Sequence, residues 1–293
     1  MKTILLTGAN GYLGSYLARD FLAKRYRIAI LKRSTSNTRR IDDILGEVRV
    51  FETDRSDETV PFRELDKIDV VVHTATCYGR SGESDGEIVE TNIAFPLRLL
   101  NLAIQHGVRC FVNTDTALHK ETNAYGLSKA HFAEWGRQTV KNSDIVFINT
   151  KVEHFYGPHD DSSKFTTHVI RSCMNNVPAL KLTLGEQQRD FIFIEDVVSA
   201  YNALLTRSAG FNSGFHEYAV GSGEVIRIRE FVETVHRLTR SHTRLEFGAV
   251  PYRVDETMCS QADTTRMRTL GWMPRVGLMD GLEQTIEAER TAL

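Results

Sequence analysis

The sequence predicts an α/β fold, a doubly wound parallel Rossmann sheet followed by a smaller C-terminal substrate-binding lobe. Three observations carry that expectation. Short apolar runs alternate with amphipathic stretches through the first half of the 293-residue chain, the rhythm of strand-helix-strand units with right-handed crossovers. The opening segment, KTILLTGANGYLGSYLARDF, joins an apolar strand to a glycine-spaced turn and a helix start. After Tyr156-Gly157-Pro158 the alternation breaks into polar, loop-rich text.

In chain order, the buried strands read as Ile4 to Thr7, Arg27 to Leu31, Arg49 to Glu52, Asp69 to Thr74, Cys110 to Asn113 and Asp144 to Asn149. Helical stretches at Tyr12 to Lys24, Ile88 to His106 and Tyr125 to Lys141 separate most of them. Beyond Pro158, helices are expected near Thr166 to Asn175, Glu195 to Thr206 and Ile228 to Arg240. This places a dinucleotide-binding domain at 1–154 and a substrate lobe at 155–293, with the chain crossing back between them. There is no internal repeat, low-complexity tract or linker.

A formal net charge of −2 and a pI near 6.6 argue against nucleic acid or an anionic membrane as the main partner. Cys77, Cys110, Cys173 and Cys259 are far apart and form no CxxC pair, which suits reduced thiols and argues against a zinc site. No apolar run approaches the roughly 20 residues that span a bilayer, and the N-terminus enters a core strand directly, so a cytoplasmic protein is expected.

Gly8, Gly11 and Gly14 fall in the spacing G-x-x-G-x-x-G, enclosing Asn10, Tyr12 and Leu13. The first glycine permits the sharp turn, the second lets backbone approach a pyrophosphate, and the third lets helix pack on strand. The helix that follows points its N-terminal amides and dipole at that anion. In an NAD site a carboxylate near the end of the second strand binds the ribose hydroxyls; this chain has Lys32, Arg33 and Ser34 there instead, with Asp42 and Asp43 too late. A guanidinium fork and an ammonium suit a 2′-phosphate, so NADP is expected as the cofactor.

The segment ending at Thr114-Asp115 closes a strand at the sheet's carboxyl edge, where open α/β sheets bind ligands. Tyr125-Gly-Leu-Ser-Lys129 then opens a helix, and the i, i+4 spacing puts phenol and ammonium on one face. A cation held close to a phenol favours the phenolate and lowers its pKa from about 10, and Lys129 would supply it. With Thr114 hydrogen-bonded to a carbonyl oxygen and Tyr125 protonating it, hydride from a nicotinamide adds to the carbon.

At these residues the chain resembles the extended short-chain dehydrogenase/reductases, the NAD-dependent epimerase/dehydratase family of sugar-nucleotide enzymes. The resemblance runs through TGANGYLG, VVHTAT at 71–76, ETN at 90–92, NTDT at 113–116, YGLSK, YGP at 156–158, QRDFIFIEDVVSAY at 188–201 and LGWMP at 270–274. It implies Thr114, Tyr125 and Lys129 as catalytic residues. His73, Thr74, Ala75 and Thr76, with Asn92, fall where the family lines the pyrophosphate and nicotinamide ribose, though His73 reads equally as a core histidine. Asp54, with Arg55, matches a position near the adenine or simply caps the third strand. Arg189 and Arg253 match positions that grip a nucleotide diphosphate. Thr114, Asp115, Thr116 and His154 are implied sugar contacts, with Glu153 a further candidate for the sugar or nicotinamide and Lys151 structural.

Dehydratases of the family carry Asp-Glu after the catalytic threonine; here Asp115 is followed by Thr116, which disfavours dehydration. The short NTDTAL…NAYGLSK segment, the basic end of the second strand and PYRVDE at 251–256 are most similar to nucleotide-sugar 4-ketoreductases of the abequose- and paratose-synthase group. The resemblance implies NADPH-dependent reduction of the C4 carbonyl of an NDP-4-keto-6-deoxy sugar, with a CDP-linked hexose favoured and a heptose open, for a surface polysaccharide such as lipopolysaccharide O-antigen. The competing readings are a 4-epimerase with retained NAD and a non-catalytic NADP-binding sensor. A homodimer pairing through the helices at 88–106 and 125–141 is expected.

Overall fold

The run Thr3-Ile-Leu-Leu-Thr7 forms β1 (Thr3–Thr7), buried at every residue. A strand so covered has no solvent face to offer and belongs at the centre of a parallel sheet. In the computed structural model, which describes residues 1–55 and 57–291, it is a central strand. The first part of the chain continues as α1 (Tyr12–Ala23), β2 (Arg27–Lys32), β3 (Arg49–Glu52), α2 (Val60–Glu64), β4 (Val70–His73), α3 (Asp85–Val89), α4 (Phe95–Gln105), β5 (Cys110–Thr116), α5 (Ala124–Thr139) and β6 (Val146–Val152). After it come β7 (His154–Tyr156), α6 (Phe165–Met174), β8 (Ala179–Leu182), β9 (Gln188–Arg189), β10 (Phe191–Phe193), α7 (Ile194–Arg207) and β11 (Gly214–Val220). The remainder is β12 (Ile226–Arg227), α8 (Ile228–Thr239), β13 (Arg244–Phe247), β14 (Cys259–Ser260), α9 (Thr265–Thr269) and α10 (Leu278–Thr291).

The chain divides into two units, 1–151 with 201–218, and 152–200 with 219–293. The main sheet is seven-stranded and parallel, in the order β11-β6-β5-β4-β1-β2-β3. The winding reverses between β1 and β4, which pair in register from Ile4↔Val70 to Thr7↔His73. Ligands of open α/β sheets bind beyond the strand ends at such a switch point. On one face of the sheet Leu5, Val71, Phe111 and Phe147 pack with Leu99, Leu100 and Ala103 of α4 and Phe132 of α5. Phe111 and Phe147 lie parallel with centroids 5.4 Å apart. Helix α5 approaches them closely through Gly136, where a Cβ would stand 2.7 Å from the Phe147 ring.

Three departures from the sequence reading matter for the site. The helix expected at Ile88 to His106 starts earlier, behind a Ser84/Glu87 capping box, and passes through a π turn at Glu90–Ala94. Pro96 explains the turn: it has no N–H to give to the carbonyl four residues back, so the helix widens there. Strand β5 runs on to Thr116, which puts both threonines on the strand. The seventh strand, β11, is one that local pattern did not reveal.

In the second unit the short strands pair as β10 with β7, β9 between β12 and β14, and β13 with β8. Much of the QRDFIFIED text turns out to be scaffold. The fully buried Asp190 carboxylate accepts from Ser222 N at 2.7 Å, Ser222 Oγ at 2.6 Å, Gly223 N at 2.9 Å and Ala262 N at 3.2 Å. Asp196 likewise accepts from Arg275 N and Val276 N, each at 2.9 Å. Phe191 stacks on Phe231 of α8 at 4.3 Å. No helix among the described residues is long and apolar enough to cross a membrane.

Removing the Asp190 carboxylate strands its donors in a buried place. Asp190→Ala is expected to lower the unfolding free energy by about 3 kcal/mol in urea titration. A loss below about 1 kcal/mol, the value of one ordinary hydrogen bond, would show that the clamp carries little weight.

Candidate active site

Gly8 ends β1 with φ +70°, in the left-handed region, and a Cβ there would lie 2.5 Å from Ala75 N and 2.7 Å from Thr74 Oγ1. A Cβ on Gly14 would overlap the Gly8 carbonyl oxygen. The turn is closed by Gly11 N donating to Gly8 O at 2.9 Å. Gly11 caps α1 without a side chain, so the first amides of a twelve-residue helix are left for an anion. The Thr7 hydroxyl receives the amides of Thr74 and Ala75 at 3.2 and 3.3 Å, while Thr74 Oγ1 donates to Thr7 O at 2.7 Å. The ends of β1 and β4 are therefore one unit.

With both Thr7 lone pairs taken, its proton goes to His73 Nδ1, 2.8 Å away. The His73 ring is fully buried among Phe95, Phe111 and Phe132. Burial, with Lys129 nearby, holds it well below the ordinary 6.5, so it is neutral. Of its two sequence readings, the side chain takes the core one. Its Nε2 and Asn113 Oδ1 are buried without partners among the described residues, on strands that pair at those residues.

At the end of β2 the basic pair divides. Lys32 Nζ is 2.9 Å from Glu52 Oε1 and donates to Arg33 O at 3.2 Å. Arg55 lies on the other Glu52 oxygen at 3.2 Å. The Asp54 carboxylate accepts from Ser34 N and Ser34 Oγ at 2.7 and 2.6 Å, bonds that hold it below the usual carboxylate range. Arg33 alone is exposed, with no side-chain partner among the described residues.

Helix α5 is capped by Asn123, which accepts from Gly126 N at 2.8 Å. From that start it presents Tyr125 and Lys129. Lys129 is 2% exposed, and its ammonium has no hydrogen-bond or ion-pair partner among the described residues. Burial brings it from 10.5 to about 8, opposed by Asp115. Burial pushes Tyr125 well above 10, helped by Tyr78 and Asp115. The groups that pull it down are the hydrogen bond of Thr116 and the charge of Arg80, not Lys129 as the sequence suggested. Tyr125 is thus a phenol with a proton to give.

Tyr78 and Arg80, which sequence reasoning passed over, stand here: the Tyr78 ring is 4.9 Å from that of Tyr125, with Arg80 5.0 Å above Tyr78. Asn92, in the π turn, uses its whole amide. It accepts from Cys77 N at 2.8 Å and Thr76 Oγ1 at 3.1 Å, and donates to Cys77 O at 2.8 Å and Ser128 Oγ at 2.9 Å. Its side chain pins α5 beside Lys129 and leaves nothing over for a ligand.

Thr114 Oγ1 lies 2.5 Å from the hydroxyl of Tyr201, which closes the QRDFIFIEDVVSAY motif but was not among the expected site residues. Asp115 is buried and accepts from Asn149 Nδ2 at 2.8 Å and Thr116 N at 2.7 Å. Lys151 is exposed, with its Nζ 3.3 Å from Glu217 Oε1.

In the second unit Arg189 is 8% exposed and already paired, 2.6 Å from Glu256 Oε1 and donating to Gln188 O at 2.8 Å. Arg253 is exposed, with no side-chain partner among the described residues. The Glu153 carboxylate takes the Ser260 hydroxyl at 2.9 Å, and His154 Nδ1 is 3.4 Å from it with its ring 6.0 Å from Phe191.

A glycine turn at the sheet's switch point and a Tyr-x-x-x-Lys helix after β5 define an extended short-chain dehydrogenase/reductase. Residues 4–221 match the model of the NAD dependent epimerase/dehydratase family, and the chain belongs to that family. It is 32% identical to a CDP-abequose synthase of Salmonella muenchen and 31% identical to one of Salmonella typhimurium strain LT2, each alignment covering 97% of both chains. In fold it is similar to a UDP-glucose 4-epimerase of Thermus thermophilus in complex with NAD, with TM-score 0.84, 23% identity and coverage of 99% of this chain and 100% of that one. A UDP-glucose 4-epimerase of Thermotoga maritima gives TM-score 0.85 at 20% identity over 99% of each chain.

The buried lysine has a measurable cost. The unfolded chain keeps that proton up to 10.5 and the folded chain only to about 8, so stability rises as pH climbs between those values and the penalty is fully present below 8. Lys129→Met is expected to raise the unfolding free energy by about 3 kcal/mol at pH 7, with the gain shrinking toward pH 10.5. Equal urea midpoints for the two proteins at pH 7 would refute this.

Proposed function

We propose that the chain is an NADPH-dependent reductase acting on the C4 carbonyl of a nucleotide-linked 4-keto-6-deoxy sugar, a CDP-linked hexose foremost, in deoxysugar synthesis for a surface polysaccharide. The observation that carries this reading is Lys129, an ammonium buried to 2% exposure with its donors unmet among the described residues, one helix turn from a protonated tyrosine. An ammonium on a side chain so nearly buried, with no partner in the protein, suits a ligand rich in acceptors. The hydroxyls of a nicotinamide ribose meet that need, and the Gly8–Gly14 cradle, which admits no Cβ at Gly8 or Gly14, fits a pyrophosphate.

When bound, the nicotinamide supplies the hydride. Lys129 would donate to the ribose from α5, whose place Asn92 fixes through Ser128. Tyr125 gives its proton to the carbonyl oxygen as negative charge develops there. Arg33, the free member of the basic pair, would offer its fork to a 2′-phosphate, while the Asp54 carboxylate is already engaged by Ser34. Arg253 is open to a nucleotide diphosphate; Arg189 would join it by releasing Glu256. Asp115, held by Asn149 and the Thr116 amide, is poorly placed to act as the acid of a dehydratase. The CDP-abequose synthases at 32% and 31% identity support the choice of base and sugar class.

We also infer a cytoplasmic homodimer. Leu127 and Trp135 of α5 are 41% and 54% exposed and Val89 of α3 is 49% exposed, an apolar surface that a second copy would cover.

Two measurements bear on these readings. The purified protein is expected to oxidise NADPH with CDP-4-keto-6-deoxyglucose, and Arg33→Ala to lower kcat/KM for NADPH by about 30-fold while sparing NADH. Tightly held NAD with no net NADPH consumption would overturn the reductase in favour of an epimerase. Sedimentation equilibrium should give a dimer at micromolar concentration and a monomer for Trp135→Glu; a monomeric wild type would remove the interface.

A further inference from the structure

The loop between β4 and α3 brings a cation close to Tyr125. Asn92 ties down its first part: the amide accepts from Cys77 N and donates to Cys77 O, each at 2.8 Å, and donates to Ser128 Oγ at 2.9 Å. The residue before Tyr78 and the residue before Lys129 are thereby held by one side chain. Gly79 then turns the chain against α3 with φ +67°, where a Cβ would stand 2.8 Å from Ile88 Cδ1. The outcome is a stack. The Tyr78 ring lies 4.9 Å from the Tyr125 ring at an angle of 41°, and the Arg80 guanidinium lies 5.0 Å from the centre of the Tyr78 ring. Those two separations keep the guanidinium within about 10 Å of the centre of the Tyr125 ring. Arg80 is exposed and makes no hydrogen bond or ion pair among the described residues, so the face of Tyr78 is what seats it.

The polar groups around Tyr125 come from three elements: Tyr78 and Arg80 from the loop, Asp115 and Thr116 from β5, and Lys129 one turn along its own helix. We infer that Arg80, seated on the ring that covers Tyr125, is a positioning residue for proton transfer, and that through Tyr78 it stabilises the anion Tyr125 becomes on giving up its proton. The direction of that transfer rests on the reductase reading, whereas the stack rests on ring and guanidinium geometry alone. In that reaction hydride from NADPH forms the new C–H bond and the C=O π pair moves to oxygen. The oxygen takes the Tyr125 proton, the bonding pair stays on the phenol oxygen, and solvent water later reprotonates it. Burial and the Asp115 carboxylate both oppose this anion, and an uncapped Tyr78 would only add an electron-rich face beside it. A guanidinium on the Tyr78 ring offsets part of that cost, because it draws on the ring's electrons and sets a positive charge within reach of the phenolate. Arginine keeps its charge at every working pH, so the contribution is constant.

The stack is tested without substrate by placing a fluorinated tyrosine at position 125, whose fluorines acidify the phenol, and following its fluorine NMR signal through a pH titration. Arg80→Gln is expected to raise the midpoint by about half a pH unit, a loss of acidity of about threefold, and Arg80→Lys to leave it nearly unmoved. In a Tyr78→Ala background the effect of Arg80→Gln should vanish, because the guanidinium has lost its seat. An unmoved midpoint in Arg80→Gln overturns the inference, and an effect of full size in the Tyr78→Ala background overturns the route through Tyr78. With NADPH and CDP-4-keto-6-deoxyglucose, Arg80→Gln should lower kcat by about threefold at nearly constant KM and enlarge the solvent deuterium isotope effect, and Arg80→Lys should restore both. Wild-type kcat and isotope effect in Arg80→Gln overturn the role in proton transfer. A wild-type protein inert toward this substrate whose fluorotyrosine titrations are as described would sink the reductase reading and uphold the stack.

Discussion

The hydroxyl of Thr7 holds the end of β1 to the start of the loop after β4, and the placement of the site depends on that closure. Through it the amides of Thr74 and Ala75 are drawn against Gly8, which explains why no Cβ fits there. The same oxygen sets the tautomer of His73, whose ring packs between the sheet and the helices that carry Asn92 and Lys129. Backbone approach at the turn and side-chain order in the core thus share one small polar group.

Within each unit the polar residues fall into two kinds. Asn92, Asp115, Asp190, Asp196 and the Lys32–Glu52 pair are satisfied within the chain and act by holding loops and helix ends. Lys129, Arg33 and Arg253 are not. An exposed arginine is content with water, but a buried ammonium is not, so Lys129 is a destabilising group retained by the fold. Its neighbour Tyr125 shows the complementary effect, since the same desolvation that makes the lysine a weaker base makes the phenol a weaker acid.

How much of this could be read from sequence follows from the range of each interaction. The strand rhythm, the glycine turn and the Tyr-x-x-x-Lys spacing are local patterns, and the sequence carries the Rossmann sheet and its helix pair in them. Tyr201 was hidden because a tyrosine on the buried side of an amphipathic helix looks like core until its partners, Thr114 and Thr150, are brought beside it. The engagement of Lys32 by Glu52 needs β2 and β3 in register, where those residues stand opposite each other. Strands of two or three residues such as β9, β10, β12 and β14 exist only through their pairing, so no window of sequence announces them. Tyr78 and Arg80 sit in a loop, where residue type says little about direction.

The π turn at Glu90–Ala94 has one more consequence. A π turn is an α-helix with one residue too many, so the helical faces before and after it are offset by about 100° relative to an uninterrupted helix. Asn92 sits inside that offset with all of its amide contacts made. Its place is a matter of counting as well as chemistry: shortening this stretch by one residue would restore an ordinary helix, keep the asparagine in the sequence and turn it away from Ser128. Two relatives that both spell Asn here are equivalent only if the number of residues between it and Pro96 is also the same.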